Sequence, residues 1–118
     1  MPDALPILVL VRDLIFSTRI STTARAAGIE IRMIRDPAKL PGQAGRLLIV
    51  DLNLAGAIEA AGAWRTDTAP VVGFVSHVDA QTAARAKAAG IDRVMARSRF
   101  VEILPQLLAG GITPATAE

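Results

Sequence analysis

Four polar side chains stand where apolar stretches of the sequence end, and their types could bind or transfer a phosphoryl group. They are Asp13 after Ile7–Val11, Asp51 after Leu47–Val50, Ser76 after Val71–Val75 and Arg97 after Val94–Ala96. If these stretches are parallel strands of one sheet, their carboxyl ends share an edge, where open α/β sheets bind ligands. Two carboxylates, a hydroxyl and a guanidinium would then meet. The sequence therefore predicts a phosphoryl or anion site at this edge.

The intervening segments carry helix signals, which indicates a parallel sheet covered on both faces. Continuous apolar runs are typical of buried strands, and the predicted strands are Pro6–Val11, Ile29–Ile34, Leu47–Val50, Val71–Val75 and Val94–Ala96. The predicted helices are Leu14–Ala27, Ala55–Arg65, Ala80–Ala89 and Phe100–Ala109, with a very short one between Asp36-Pro37 and the helix-breaking Pro41-Gly42. Five strands alternating with five helices imply right-handed crossovers. We predict an α/β fold with a single doubly wound five-stranded parallel sheet in the order 2-1-3-4-5.

Composition limits the class of protein. The chain has 118 residues, of which 52% are hydrophobic and 20% charged, as expected for one globular domain. We predict a domain over 1–110 and a flexible tail over 111–118. There is no cysteine, which excludes disulfides and thiolate chemistry. The apolar stretch Ala4–Val11 is too short to span a bilayer and follows Asp3 rather than a basic segment. We therefore expect a cytoplasmic protein with no membrane association.

The basic residues do not cluster as they would on a nucleic-acid-binding surface. The formal net charge is +2, from 13 basic and 11 acidic residues that are interleaved along the chain. Besides Trp64 the only aromatic residues are three phenylalanines, so no platform for stacking bases is present. We expect no nucleic-acid partner.

The segment Ile49–Gly56, with Asp51 at its centre, resembles the phospho-acceptor strand and loop of response-regulator receiver domains. The order of parts around it is also similar: an acid after the first strand, Ser76 after the fourth, and Ala89–Asp92 before the fifth. The resemblance covers about the whole chain apart from the tail. It implies a CheY-like, flavodoxin-like fold and a role in bacterial two-component signalling or a phosphorelay, and it does not imply an enzyme.

The resemblance also implies roles for individual residues. Asp51 would accept a phosphoryl group from a histidine kinase. Mg²⁺ would be held by Asp13, Asp51 and the backbone carbonyl of Asn53. Ser76 would bind a phosphoryl oxygen, and Arg97 stands where the family has a lysine that pairs with the phosphoryl group.

Several positions depart from the family's pattern. Arg12 replaces one member of the acidic pair, Val94 replaces an aromatic switch residue, and Ala55 replaces a proline. Arg12 either points to solvent or lies against Asp13 and Asp51 in the metal's place, in which case it would lower the pKa of Asp51. A carboxylate held by arginines is a poor nucleophile. These departures predict a pseudo-receiver with degraded phosphorylation chemistry.

Other interpretations of the same residues stay open. Asp51 and Asp13 could simply cap the helices that follow them, Ser76 could cap a turn, and Arg97 could be a surface residue. His77, between Ser76 and Asp79, is not part of a hydrolase triad, because triad members converge from separate segments.

We therefore predict a stand-alone receiver-like module that acts through protein–protein interaction. Its partner would be a histidine kinase or a downstream effector, and a homodimer is left open. One alternative is a functional response regulator with Mg²⁺-dependent phosphorylation of Asp51. Another is a sensor of phosphate or a nucleotide that uses Arg12 and Arg97 as an anion cradle. No poised acid–base pair outside the acceptor site favours an enzyme.

Overall fold

A computed structural model describes residues 5–66, 68–75 and 80–110. These residues form a parallel sheet of five strands: β1 (Ile7–Leu10), β2 (Ile31–Ile34), β3 (Leu47–Asp51), β4 (Val71–Val75) and β5 (Arg93–Ala96). The strand order is β2-β1-β3-β4-β5, which confirms the predicted fold class and strand order. The predicted tail over 111–118 lies outside the described residues.

Four α-helices connect or follow the strands: α1 (Leu14–Ala27), α2 (Ala57–Trp64), α3 (Ala80–Ala88) and α4 (Arg97–Gly110). The predicted short helix between β2 and β3 is a single 3₁₀ turn, Pro37–Lys39, capped by Asp36 through its Oδ1, which accepts the N–H of Ala38 at 2.9 Å. Gly42 follows with a φ of +85°, a left-handed conformation that suits glycine and ends the turn. The helical part of this connection is therefore too short to cover the sheet as an α-helix would.

The bounds of three helices differ from those that the sequence predicted, and the smallest difference is in α3, which ends at Ala88 rather than Ala89. α2 begins at Ala57 rather than Ala55, because Gly56 adopts a φ of +82° and is the residue before the first helical turn. α4 begins at Arg97 rather than Phe100, immediately after β5. The predicted bounds of α1 and β4 are confirmed without change.

Two apolar layers sandwich the sheet. Alternate strand residues point to opposite faces, so Ile7 and Val9 join the layer under α1 and α4, while Leu8 and Leu10 join the layer under α2 and α3. Three phenylalanines form the centre of the first layer, with ring centroids 4.8–5.8 Å apart: Phe16 from α1, Phe74 from β4 and Phe100 from α4. Packing of these two layers holds the strands in place and so positions the residues at their carboxyl ends.

A partly buried ion pair joins two connections at the amino end of the sheet. The carboxylate of Asp92 is 6% exposed and accepts two hydrogen bonds from Nε and one from Nη2 of Arg65, at 2.9–3.0 Å. It also accepts the N–H of Val71 at 2.7 Å. The pair therefore fastens the end of α2 to the starts of β4 and β5. None of the helices in the described part of the chain is long and apolar enough to span a lipid bilayer.

Candidate functional site

The carboxyl ends of β1 and β5 bring Asp13 and Arg97 together, as the sequence predicted. Nη2 of Arg97 lies 3.3 Å from Oδ2 of Asp13, although 84 positions separate the two residues in the sequence. The guanidinium also lies over the ring of Phe16, with its Cζ 4.0 Å from the ring centroid, which is cation–π geometry. About a third of the Arg97 side chain is exposed. The ion pair thus rests on the phenylalanine cluster and reaches the surface.

Asp13 also caps α1. Its Oδ1 accepts the N–H of Ile15 at 2.9 Å and the N–H of Phe16 at 3.1 Å, which would otherwise lack partners in the first helical turn. The hydrogen bond from Phe16, followed by the guanidinium of Arg97, holds the pKa of Asp13 below its usual value. Both carboxylate oxygens of Asp13 are therefore engaged with partners from the protein itself.

Asp51 is the last residue of β3, the central strand of the sheet, and it is half-buried. Its Oδ1 accepts the N–H of Asn53 at 3.0 Å, which shapes the turn that leaves the strand. The residue before α2 is Gly56, and no side chain caps that helix. Asp51 therefore does not cap α2, in contrast to the alternative that the sequence left open, and it stands at the sheet edge where the ligand was expected.

Arg12 lies between the end of β1 and Asp13, and it is exposed. No ion pair joins it to Asp13 or Asp51 in the described residues, and its backbone carbonyl accepts a hydrogen bond from Nη2 of Arg35 at 3.4 Å. Of the two orientations considered for Arg12, the structure has the one that faces solvent. Arg97, rather than Arg12, places a guanidinium on a strand-end carboxylate.

Ser76, the predicted ligand of a phosphoryl oxygen, lies outside the described residues, as do its neighbours His77 and Asp79.

The donor set for Mg²⁺ can be tested on the residues that are described. Mg²⁺ needs oxygen ligands in near-octahedral geometry and carboxylates that offset its dehydration. Both oxygens of Asp13 already accept hydrogen bonds, from two N–H groups and from Arg97, so Asp51 and the carbonyl of Asn53 are the remaining donors among the described residues. Within residues 5–66, 68–75 and 80–110, no group of three or more acidic or histidine side chains could hold a metal. These residues do not fit a resident Mg²⁺ as they stand.

The sequence did not indicate the contact of Arg97 with the ring of Phe16. Phe16 takes part twice, because its N–H is bound by Asp13 and its ring lies under the guanidinium that Asp13 also binds. The available signal was the helical spacing of three between the capping residue and the first aromatic residue of α1. That spacing places a ring beside the strand ends, but it does not indicate which cation covers the ring.

Solved structures identify the fold. No protein-family model and no curated protein matches the chain. A response regulator from Hahella chejuensis superposes with a TM-score of 0.77 at 20% identity, over 98% of this chain and 100% of that one. The phosphorylated cyanobacterial phytochrome response regulator RcpA gives 0.75 at 13%, over 93% and 97%. The Mn²⁺-bound response regulator Rcp1 gives 0.73 at 15%, over 97% and 99%. The protein therefore has the CheY-like fold of response-regulator receiver domains, as the sequence predicted.

Proposed function

We propose that this protein is a receiver-like signal-transduction module with a degraded phosphorylation site, and that it acts by contact with another protein. The observation that carries the proposal is the ion pair between Arg97 and Asp13. It places a cation of the protein itself on a carboxylate that a receiver domain would use for Mg²⁺. The fold supports the receiver-like role, and the departures at Arg12 and Arg97 support the loss of phosphorylation.

The ion pair opposes metal binding for a physical reason. Mg²⁺ bound to Asp13 would lie beside the positive charge of Arg97 on one carboxylate oxygen, and the other oxygen caps α1. Arg12, next to Asp13 in the sequence, stands where the family pattern has a second acid. Without the metal, little would neutralise the charge that develops on a phosphoryl group during transfer to Asp51. Asp51 would then remain unphosphorylated.

The same contacts weigh against the two alternatives. A functional phospho-acceptor would need Asp13 to be available to a metal. An anion sensor would need Arg12 and Arg97 to converge on one ligand, whereas Arg97 faces Asp13 and Arg12 faces solvent. Among the described residues, no contact specifically supports either alternative function. The partner that we propose is a protein, either a histidine kinase or a downstream effector.

The proposal is tested by acetyl phosphate with Mg²⁺, which phosphorylates receiver domains without a kinase. We expect wild-type protein to show no stoichiometric, hydroxylamine-sensitive label on Asp51. The double variant Arg12→Asp/Arg97→Lys restores an acidic pair and the lysine of the family pattern, and we expect it to gain Mg²⁺-dependent label. The same variant with Asp51→Asn is the control and should stay unlabelled. Stoichiometric labelling of Asp51 in the wild type would refute the proposal.

A further inference from the structure

The two faces of the sheet are covered unequally. One face carries α1 and α4, each of 14 residues, whereas the other carries α2 with 8 residues, α3 with 9 and the 3₁₀ turn with 3. The chain between β2 and β3 is the one connection that has no α-helix within the described residues. One flank of α2 is therefore left without a neighbouring helix.

An apolar groove of about 520 Å³ runs along this flank of α2. Its walls include Leu5 before β1, Pro41 from the short connection, and Ala60, Ala63 and Trp64 from α2. All of these residues lie toward the amino end of the sheet, so the groove is at the opposite edge from Asp51. It is open to solvent along one side, in contrast to the enclosed pockets that hold small molecules.

Trp64 gives the groove a preformed aromatic wall. Its indole Nε1–H donates to the carbonyl of Gln43 at 2.8 Å, so its polar atom is satisfied and its ring is held in place. The ring is half-buried. On the same helix, Ala60 lies one turn before Trp64 and Ala63 directly precedes it. Small residues beside a fixed aromatic ring allow the backbone of a partner helix to approach closely, and tryptophan is frequent at the centre of interfaces.

Two exposed arginines adjoin the groove. Nε of Arg46 donates to the carbonyl of Leu5 at 3.1 Å, and Nη1 of Arg32 donates to Oε1 of Gln43 at 3.1 Å. Neither arginine forms an ion pair with a described residue. The rim of the groove is therefore positively charged and complementary to carboxylates.

A second copy of this chain is a poor match for that rim. α1 carries Arg19 and Arg25, and α3 carries Arg85 and Lys87, with no acidic residue in either helix. The single glutamates of α2 and α4 already pair with arginines, Glu59 with Arg85 at 3.0 Å and Glu102 with Arg99 at 3.3 Å. None of these helices offers an acidic flank, so a helix of a different protein fits the rim better than a helix of a second copy does.

We propose that the groove binds one amphipathic helix of a different protein, with an apolar stripe on Ala60, Ala63 and Trp64 and acidic residues facing Arg32 and Arg46. Such helix-in-groove recognition uses apolar anchors at positions i, i+3 or i+4, and i+7. The inference goes beyond the proposed function and does not depend on the state of Asp51. It supplies a second surface, on the far edge of the sheet, for a protein partner.

The test is selection from a displayed library of helical peptides of about four turns. Apolar stripe positions sample leucine, isoleucine, phenylalanine and methionine, and flanking positions sample glutamate, glutamine and lysine equally. We expect peptides with glutamate flanks to be enriched on the wild-type protein. Enriched peptides should shift the emission of Trp64, the chain's single tryptophan. Ala63→Glu should weaken them at least about tenfold through like-charge repulsion, whereas Ala84→Glu, on exposed α3 surface, should not.

Charge reversal separates recognition from simple loss of structure. We expect Arg32→Glu/Arg46→Glu to transfer the preference to lysine-flanked peptides, and Arg19→Glu on α1 to leave it unchanged; thermal unfolding establishes that each variant is folded. The proposal is overturned if no peptide is enriched, if glutamate and lysine flanks are enriched equally, or if Ala63→Glu has no effect. It is also overturned if the groove residues control self-association or oligonucleotide binding instead. Enrichment that requires deletion of Met1–Ala4 would assign the groove to the chain's own amino terminus. None of these outcomes alters the acetyl phosphate test of Asp51.

Discussion

Asp13 combines a capping role with an ion pair, and substitution can separate the two. Asparagine is as good a cap as aspartate but carries no charge for Arg97, whereas alanine provides neither interaction. We expect Asp13→Ala to lower the free energy of unfolding more than Asp13→Asn does. Urea denaturation of both variants at neutral pH measures the difference.

The pH dependence of the same variants follows from the lowered pKa of Asp13. The N–H of Phe16 and the guanidinium of Arg97 favour the ionised carboxyl in the folded state. Its contribution is therefore fully present above the unfolded pKa and lost as the pH falls through the folded pKa. We expect the stability difference between the wild type and Asp13→Asn to shrink as the pH falls below about 4, the usual pKa of an aspartate. A difference that stays constant over this range would contradict the role given to the charge.

At the residue level, the sequence predicted which residues lie close together better than it predicted where their side chains point. The contact between Asp13 and Arg97 could be anticipated, because parallel strands end at a common edge and both residues follow strands. The direction of Arg12 could not, since it lies in a loop where no periodic pattern fixes the side chain. The ion pair of Arg65 with Asp92 was also missed, because a contact between two connections leaves no mark in local spacing.

Gly73 in β4 couples the sheet to the turn that carries Asp51. It faces Leu52, and a Cβ at Gly73 would lie 2.7 Å from Cγ and both Cδ atoms of that side chain, so the whole leucine would have to move. We expect Gly73→Ala to cost about 1–3 kcal/mol by overpacking and Leu52→Ala about 2–5 kcal/mol by leaving a cavity. The double variant should be more stable than the sum predicts, because the alanine methyl fills part of that cavity.

The control for this pair lies on the other face of the sheet. Leu108 of α4 is fully buried in the opposite apolar layer, so Leu108→Ala should add to Gly73→Ala without coupling. Chemical denaturation of the single and double variants gives both coupling energies. Equal coupling for Leu52 and Leu108 would contradict the contact.

Elements were predicted best where both ends carry a local signal. α1 was predicted without error because Asp13 caps its start and Gly28, with a φ of +71°, ends it. The start of α2 was placed two residues early, since the left-handed conformation of Gly56 depends on the turn after Asp51 rather than on helix propensity. The short connection between β2 and β3 was anticipated from Pro41-Gly42, which cannot continue a helix.

At the scale of the whole molecule, the sequence predicted the strand order of the sheet but not the groove on its surface. The strand order follows from length, alternation and the handedness of crossovers. The groove beside Trp64 exists because the connection between β2 and β3 has no α-helix to cover that part of the sheet. This depends on how several segments pack, so the pattern of one segment does not predict it. In the structure the ring of Trp64 is a half-buried wall of this groove.

The side chain at position 94 bears on whether a change at Asp51 is transmitted across the sheet to α4. Val94 lies beside Gly73 in the next strand and packs, half-buried, into the layer under α2 and α3. A β-branched side chain held in such a layer has little rotamer freedom with which to report a change at Asp51. We expect Mg²⁺ with beryllofluoride, a mimic of aspartyl phosphate, to leave the backbone amide shifts of the wild type unchanged. In Arg12→Asp/Arg97→Lys we expect saturable shifts around Asp51 that do not extend through β5 into α4. Shifts that reach α4 in either protein would show that the fold transmits the signal without an aromatic residue at position 94.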